Sequence, residues 1–156
     1  MVAIDIPGGN RLEIDHLVLD YNGTIALDGE LIAGVPEMIG RLSARLAVHV
    51  LTADTHGTVA NKLKGLACSL HIIPPGRQDQ AKLAYVRQLG GNRVAAVGNG
   101  RNDHAMLDAA ALGIAVIQAE GASFAAIRSA AVVCTSIQDA LNLLLKPARL
   151  QATLRN

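Results

Sequence analysis

Leu17-Val18-Leu19-Asp20-Tyr21-Asn22-Gly23-Thr24 is the stretch whose reading decides the fold. Three apolar residues run into an acid, and a Gly-Thr loop follows. The pattern places Asp20 at the C-terminal tip of a buried strand, where an open α/β sheet presents its reactive groups. A carboxylate at that point faces loop N–H groups that can hold a phosphate, so Asp20 is laid out as a nucleophile.

Strand-like and helix-like stretches alternate on either side of it. Strands are expected over 16–20, 47–51, 69–73, 94–97, 114–117 and 131–134. Helices are expected over 35–46, 55–66, 78–89, 103–111, 123–130 and 136–145, on apolar spacing of three and four. Pro36 suits an early helical position, Thr55 a cap, and Gly90-Gly91 a helix end. This alternation predicts one α/β domain over 1–156, a doubly wound Rossmann-like parallel sheet layered between helices. Two pieces stand outside it. Residues 2–14 form an expected extra hairpin around Pro7-Gly8-Gly9-Asn10, and residues 25–33 a small flap hairpin with a type I′ turn at Asp28-Gly29. The tail after Pro147 reads as polar and frayed.

Composition narrows the class. The chain is 51% hydrophobic but only 2% aromatic, which suits helices packed on a parallel sheet. A net charge of +1 with both signs scattered gives no footprint for nucleic acid or a membrane surface. No apolar run reaches the length of a membrane span, and the N-terminus lacks a leader pattern. Cys68 and Cys134 have no paired spacing and are expected to be reduced, buried thiols of a cytoplasmic protein.

Polar residues fall at four strand or helix tips: Asp20, Thr52 in Leu51-Thr52-Ala53-Asp54, Lys82 after Pro74-Pro75, and Gly98-Asn99-Gly100-Arg101-Asn102-Asp103. Phosphoryl transfer to a carboxylate needs this set. It needs an in-line nucleophile, a hydroxyl and a cation on the phosphate oxygens, and a divalent ion to offset charge. The last segment also reads as a partial Gly-x-Gly-x-x-Gly dinucleotide loop. Asp103 stands where the third glycine belongs, and no strand-end acid follows at the required distance. Asp54 reads equally as a helix cap. His56 and His104 flank these positions and are expected to be structural or exposed.

Taken in order, Asp20–Thr24, Thr52, Lys82 and Gly98–Asp103 resemble the four motifs of the haloacid dehalogenase-like (HAD) superfamily, over roughly residues 15–145. The first resembles Asp-x-Asp-Gly-Thr. The likeness is greatest to the phosphorylation domain of P-type ATPases, whose Thr-Gly-Asp is matched by Thr52-Ala53-Asp54. Val94–Val116 is similar to their Gly-Asp-Gly-x-Asn-Asp segment and its following strand. With 27 residues between Thr24 and Thr52 there is no room for a nucleotide-binding domain. The chain thus resembles a stand-alone, capless relative, a soluble P-type ATPase-like protein.

The resemblance implies a Mg²⁺-dependent phosphohydrolase or phosphotransferase acting on a small phosphorylated compound through an aspartyl-phosphate on Asp20. It implies Asp20, Asn22, Thr52 and Lys82 as the catalytic set. Asp20, Asn22, Gly23, Thr52, Ala53, Lys82 and Asn102 would contact phosphate, and Asp20, Asn22, Asn99 and Asp103 would hold the metal. Capless relatives often cover their sites with a neighbouring subunit, so a homo-oligomer such as a tetramer is expected.

Two residues depart from the family pattern. Asn22 stands where an acid protonates the leaving group and activates water, and an amide does neither. Asn99 stands at a metal-binding Asp and offers an oxygen without charge. A slow enzyme is therefore expected. The alternative is a degenerate domain that binds phosphate or a partner protein without turnover. A response-regulator receiver does not fit, because its acidic pair precedes a phospho-acceptor on a later strand.

Overall fold

The computed structural model describes residues 1–54 and 57–156. A hairpin opens the chain, β1 (Val2–Asp5) against β2 (Arg11–Ile14). Next come β3 (His16–Asp20), the two-residue strands β4 (Ala26–Leu27) and β5 (Glu30–Leu31), and α1 (Val35–Ser43). The chain continues through β6 (Ala47–Thr52), α2 (Thr58–Lys62), β7 (Ser69–Ile72), α3 (Gln78–Gln88) and β8 (Val94–Gly98). It ends with α4 (His104–Ala109), β9 (Leu112–Val116), α5 (Phe124–Ser129), β10 (Val132–Cys134), α6 (Ile137–Leu145) and α7 (Pro147–Leu154).

Six of these strands form one parallel sheet in the order β10-β9-β8-β3-β6-β7. The chain leaves β3 toward β6 and β7, then returns to the other side of β3 for β8. The switch point of the sheet is thus the crevice between the C-terminal ends of β3 and β8, where ligands bind in open α/β folds. Asp20 and Gly98 end those two strands.

Strand parity decides what meets Asp20. Leu17 and Leu19 face the larger core, with Val35, Ile39 and Leu42 of α1 and Leu141 and Leu144 of α6. Val18 faces the opposite core, with Val86 of α3, Met106 and Leu107 of α4, and Ala126 of α5. Side chains alternate along a strand, so Asp20 follows Val18 toward the α3 side. Lys82 lies one turn before Val86 on α3 and is buried.

Most sequence-based expectations hold, with shifts at the ends. α1 stops at Ser43, and α2 is a single short helix after Gly57 (φ 76°). The expected Thr55 cap and His56 lie outside the described residues. Asp28 and Gly29 both have positive φ (50° and 80°), the signature of the type I′ turn. The flap is smaller than expected. Ile25 and Ala26 are buried, and Leu31 and Ile32 pack on the core, which leaves Leu27 as its large exposed apolar residue.

Two expectations are corrected. Cys68 and Cys134 are free but half-buried rather than buried. The tail is not frayed, because Pro147 starts α7 at its first turn and Leu150 is fully buried. Gln151 Nε2 donates to the Asp5 carbonyl at 2.9 Å, tying α7 to the first hairpin. Two apolar residues four apart are too brief a pattern to stand out in a polar tail. Among the described residues no helix is long and apolar enough to cross a membrane.

Leu150→Ala is expected to lower stability by about 2–5 kcal/mol, the usual cost of truncating a buried leucine. Urea unfolding measures it, and a loss under about 0.5 kcal/mol, a surface-site effect, would contradict the docking of α7.

Candidate active site

Asp20 is buried at the tip of β3 and has partners on both carboxylate oxygens. Lys82 Nζ donates to its Oδ1 at 2.6 Å, and the Thr24 hydroxyl donates to its Oδ2 at 3.0 Å. Lys82 also donates to Asp103 Oδ1 at 2.6 Å. An ammonium has three N–H donors, so two hold the carboxylates and one remains for a ligand oxygen. The other Asp103 oxygen accepts the backbone N–H groups of Asn99 (3.0 Å) and Gly100 (2.8 Å). Asp103 thus shapes the turn after β8 and anchors Lys82 in one position.

That packing demands glycine at β8's end. A Cβ on Gly98 would lie 2.6 Å from Asp103 Cγ, closer than real contacts allow. Gly23 is constrained twice. Its φ is +77°, and a Cβ there would lie 2.4 Å from both Asn99 Nδ2 and Glu120 Oε2.

Charge and burial set the titration of the pair. Burial pushes the Asp20 carboxyl up to about 6, Asp103 adds to the rise, and Lys82 opposes both. Burial alone would pull the Lys82 ammonium down. Asp20 and Asp103 outweigh it, and the net shift is upward.

A cavity of about 180 Å³ opens over this cluster. It brings together nearly all the residues expected from sequence: Asp20, Asn22, Thr52, Ala53, Lys82, Asn99 and Asn102. Gly23 lies beneath, against Asn99, and Asp103 lies behind Lys82. Asn22 is exposed, and Thr52 is buried with its Oγ1 accepting the Asp54 N–H at 3.2 Å. Asn102 donates to Gln78 Oε1 at 2.7 Å, so α3 supplies a second wall residue. Asp54 takes the capping role, accepting from the Thr58 hydroxyl (2.9 Å) and the Val59 N–H (3.0 Å). His104 Nδ1 donates to the Arg101 carbonyl at 2.7 Å, a structural contact.

The loop after β9 was not read from sequence as part of the site. Gln118 Nε2 donates to the carbonyls of Gly23 (3.1 Å) and Thr24 (2.9 Å), while its Oε1 accepts the Ile137 N–H at 2.8 Å. It clamps the loop after β3 to the start of α6. Glu120 lines the cavity itself. The available signal was position: both residues follow a strand tip, as the other site residues do.

The donor set suits a hard divalent cation. The single Thr24 proton faces Asp20 Oδ2 and also Asn99 Oδ1 at 3.2 Å, so two acceptor oxygens converge on one donor. Among the described residues no three His, Cys, Asp or Glu side chains form a metal cluster. The oxygens here mix a carboxylate with an amide, and all are ligands of the Mg²⁺ type.

No family model matches the chain. The uncharacterized protein MJ0073 of Methanocaldococcus jannaschii is 42% identical over 85 residues, spanning 52% of this chain and 91% of that protein. Among solved structures, a Streptomyces avermitilis protein assigned to the HAD family of hydrolases superposes with a TM-score of 0.70 at 23% identity. It covers 94% of this chain and 91% of its own. The 3-deoxy-D-manno-octulosonate 8-phosphate phosphatase of Moraxella catarrhalis, solved with magnesium and phosphate, gives 0.66 at 19% identity, covering 90% and 92%. The catalytic domain of the CPx-ATPase CopB gives 0.60 at 21%, covering 73% of this chain and 45% of that one.

The raised Asp20 carboxyl predicts a pH effect in metal-free protein. Its folded value, about 6, exceeds the unfolded 3.8. Its contribution to stability is therefore complete below pH 3.8 and is lost as pH rises through about 6. Carboxyl-carbon NMR should show one group titrating near that pH. Lys82→Met should move it higher and cost about 3–5 kcal/mol at neutral pH, since two buried carboxylates lose their cation. An Asp20 titration near pH 4 would contradict the geometry.

Proposed function

This chain belongs to one family with MJ0073 and has the HAD-type fold, and from that premise we propose that it is a phosphohydrolase or phosphotransferase using Asp20 as nucleophile. The observation that carries the reading is the buried Asp20–Lys82–Asp103 cluster at the switch point of the sheet, under an open cavity. The substrate class is a small phosphorylated compound, and the magnesium and phosphate bound in the Moraxella catarrhalis phosphatase support it.

In this reading a phosphate enters the cavity, and the Thr52 hydroxyl and the third Lys82 N–H take its oxygens. An Asp20 oxygen attacks phosphorus. The P–O bond to the leaving group breaks, and that oxygen departs with the electron pair. Asp20 is left as an acyl-phosphate, which water or another acceptor then cleaves. Asp20, the Asn22 carbonyl and Asn99 would hold Mg²⁺, which when bound offsets charge between carboxylate and phosphate. Asp103 would bear on that site through Lys82 and the turn at Asn99.

Asn22 sets the rate. It neither protonates the leaving oxygen nor activates water, and such help typically contributes about 100- to 10,000-fold. The reading is therefore a slow enzyme, with a persistent acyl-phosphate and a preference for leaving groups that need no proton. The pair Asn22 and Asn99 also favours a second reading, a domain that binds phosphate or a protein partner without turnover.

One experiment separates them. The protein is incubated with Mg²⁺ and acetyl phosphate, quenched in acid and weighed intact. A phosphate adduct is expected that is absent in Asp20→Asn, and Asn22→Asp should shorten its life about tenfold or more. No adduct together with no phosphate release would select the binding domain.

No residue of β4 or β5 lines the cavity, and Leu27 is the flap's large exposed apolar side chain. A homo-oligomer, of the order of a tetramer, is part of the proposal. Light scattering at tens of micromolar should give a multiple of the chain mass of 16.2 kDa, and a monomer mass removes this part.

A further inference from the structure

Asn99 stands where the metal site would otherwise have a second carboxylate, and the structure shows what its amide does instead. Asn99 Nδ2 donates to the Gly121 carbonyl at 3.0 Å, and its backbone carbonyl accepts the Ser123 N–H at 2.8 Å. An aspartate here would set a negative oxygen against the Gly121 carbonyl. The amide orients itself: with Nδ2 on the loop, Oδ1 must face Thr24 and Asp20.

The segment that Asn99 holds carries Glu120. Gln118 pins its start to the Gly23 and Thr24 carbonyls, and Asn99 pins its far end. Between these anchors, Glu120 Oε2 and Asn99 Nδ2 both lie 2.4 Å from the point where a Gly23 Cβ would stand. The two atoms are therefore at most twice that distance apart. Gly23 has no side chain, and the space a Cβ would take is shared by the Asn99 amide and the Glu120 carboxylate. Glu120 lines the same cavity as Asp20, Asn22 and Asn99. Glu120 is an exposed residue.

We propose that Glu120 supplies, from the loop after β9, the negative charge that Asn99 does not bring to the metal site. It does so as a positioning residue, accepting hydrogen bonds from the water shell of a divalent cation held by Asp20, the Asn22 carbonyl and Asn99. Mg²⁺ dehydrates reluctantly and keeps several waters, and carboxylates beyond the direct ligands hold such waters and tune affinity. Asn99 and Glu120 then act as a unit: the amide fixes the loop, and the loop delivers the carboxylate. The inference rests on the metal-dependent reading above.

The test measures metal binding directly, apart from turnover. Mg²⁺ titration calorimetry and Mn²⁺ electron paramagnetic resonance are run on wild type, Glu120→Gln, Glu120→Asp, Asp20→Asn and Glu37→Gln, the last an exposed acid on α1. Glu120→Gln is expected to weaken binding about 10- to 100-fold, the usual effect of losing an outer-shell carboxylate. Glu120→Asp should recover part of that, and Glu37→Gln should match wild type. Thermal unfolding confirms that each variant folds. Wild-type binding that Asp20→Asn abolishes but Glu120→Gln leaves unchanged would overturn this inference and keep the metal site. A Glu120→Gln that alters only the pH profile of turnover would overturn it too, and assign the residue to proton transfer. A wild type that binds no divalent cation would remove the metal-dependent reading itself.

Discussion

The Lys82 ammonium between Asp20 and Asp103 is the interaction on which the rest of the site depends. At 2.6 Å from each, it bridges the end of β3 to the turn after β8. Remove the cation and two buried carboxylates face each other in a medium that screens them poorly. Remove Asp103 and the turn loses its acceptor for two N–H groups as well as the anchor of the lysine. A buried ion triad of this kind contributes little net stability over an apolar packing of the same volume. Its physical result is position: it fixes one oxygen of Asp20 and leaves the other toward Thr24 and the cavity.

The sheet makes that triad possible. The switch in strand order brings the ends of β3 and β8 side by side, with the chain leaving β3 toward β6 and leaving β8 toward β9, in opposite directions. Parity along β3 then turns Asp20 to the α3 side, where Lys82 stands one turn from the core residue Val86. Close approach completes it. Gly98 lets the Asp103 carboxyl pack against the end of β8. The site is thus a consequence of topology, alternation and one missing side chain, each of which acts through the backbone.

What was legible in the sequence follows from this. Short apolar stretches between turn and helix signals, the one at 69–73 stopped by Pro74-Pro75, located all six sheet strands, and Asp28-Gly29 located the flap turn. Asp20, Thr52 and the segment 98–103 were visible because each sits at a strand's end, and Lys82 because it lies early in the helix that follows Pro74-Pro75. The ends of helices were less so, since capping through Asp54 and Gly57 outweighed the apolar pattern that continued to Leu66. α7 was hidden because its burial rests chiefly on one residue, Leu150. Gln118 and Glu120 were hidden for a different reason. Their importance lies in contacts to residues about a hundred positions earlier, and no local period records such pairs.

The two asparagines alter the charge of the site without altering its frame. With Asp20, Asp103 and Lys82 alone, the cluster carries one net negative charge. Acids at 22 and 99 would triple it, and an approaching phosphate anion would meet that repulsion at short range. The amides therefore lower the demand for a cation to admit the anion, and they offer no proton of the kind an acid at position 22 would exchange. Neither change touches Asp20. A domain needing only phosphate affinity would be served by N–H donors and a lysine, and a buried carboxylate facing the anion would weaken such binding. Asp20 disfavours simple anion capture, and its presence at the centre of the cavity is the physical argument for covalent chemistry over passive binding.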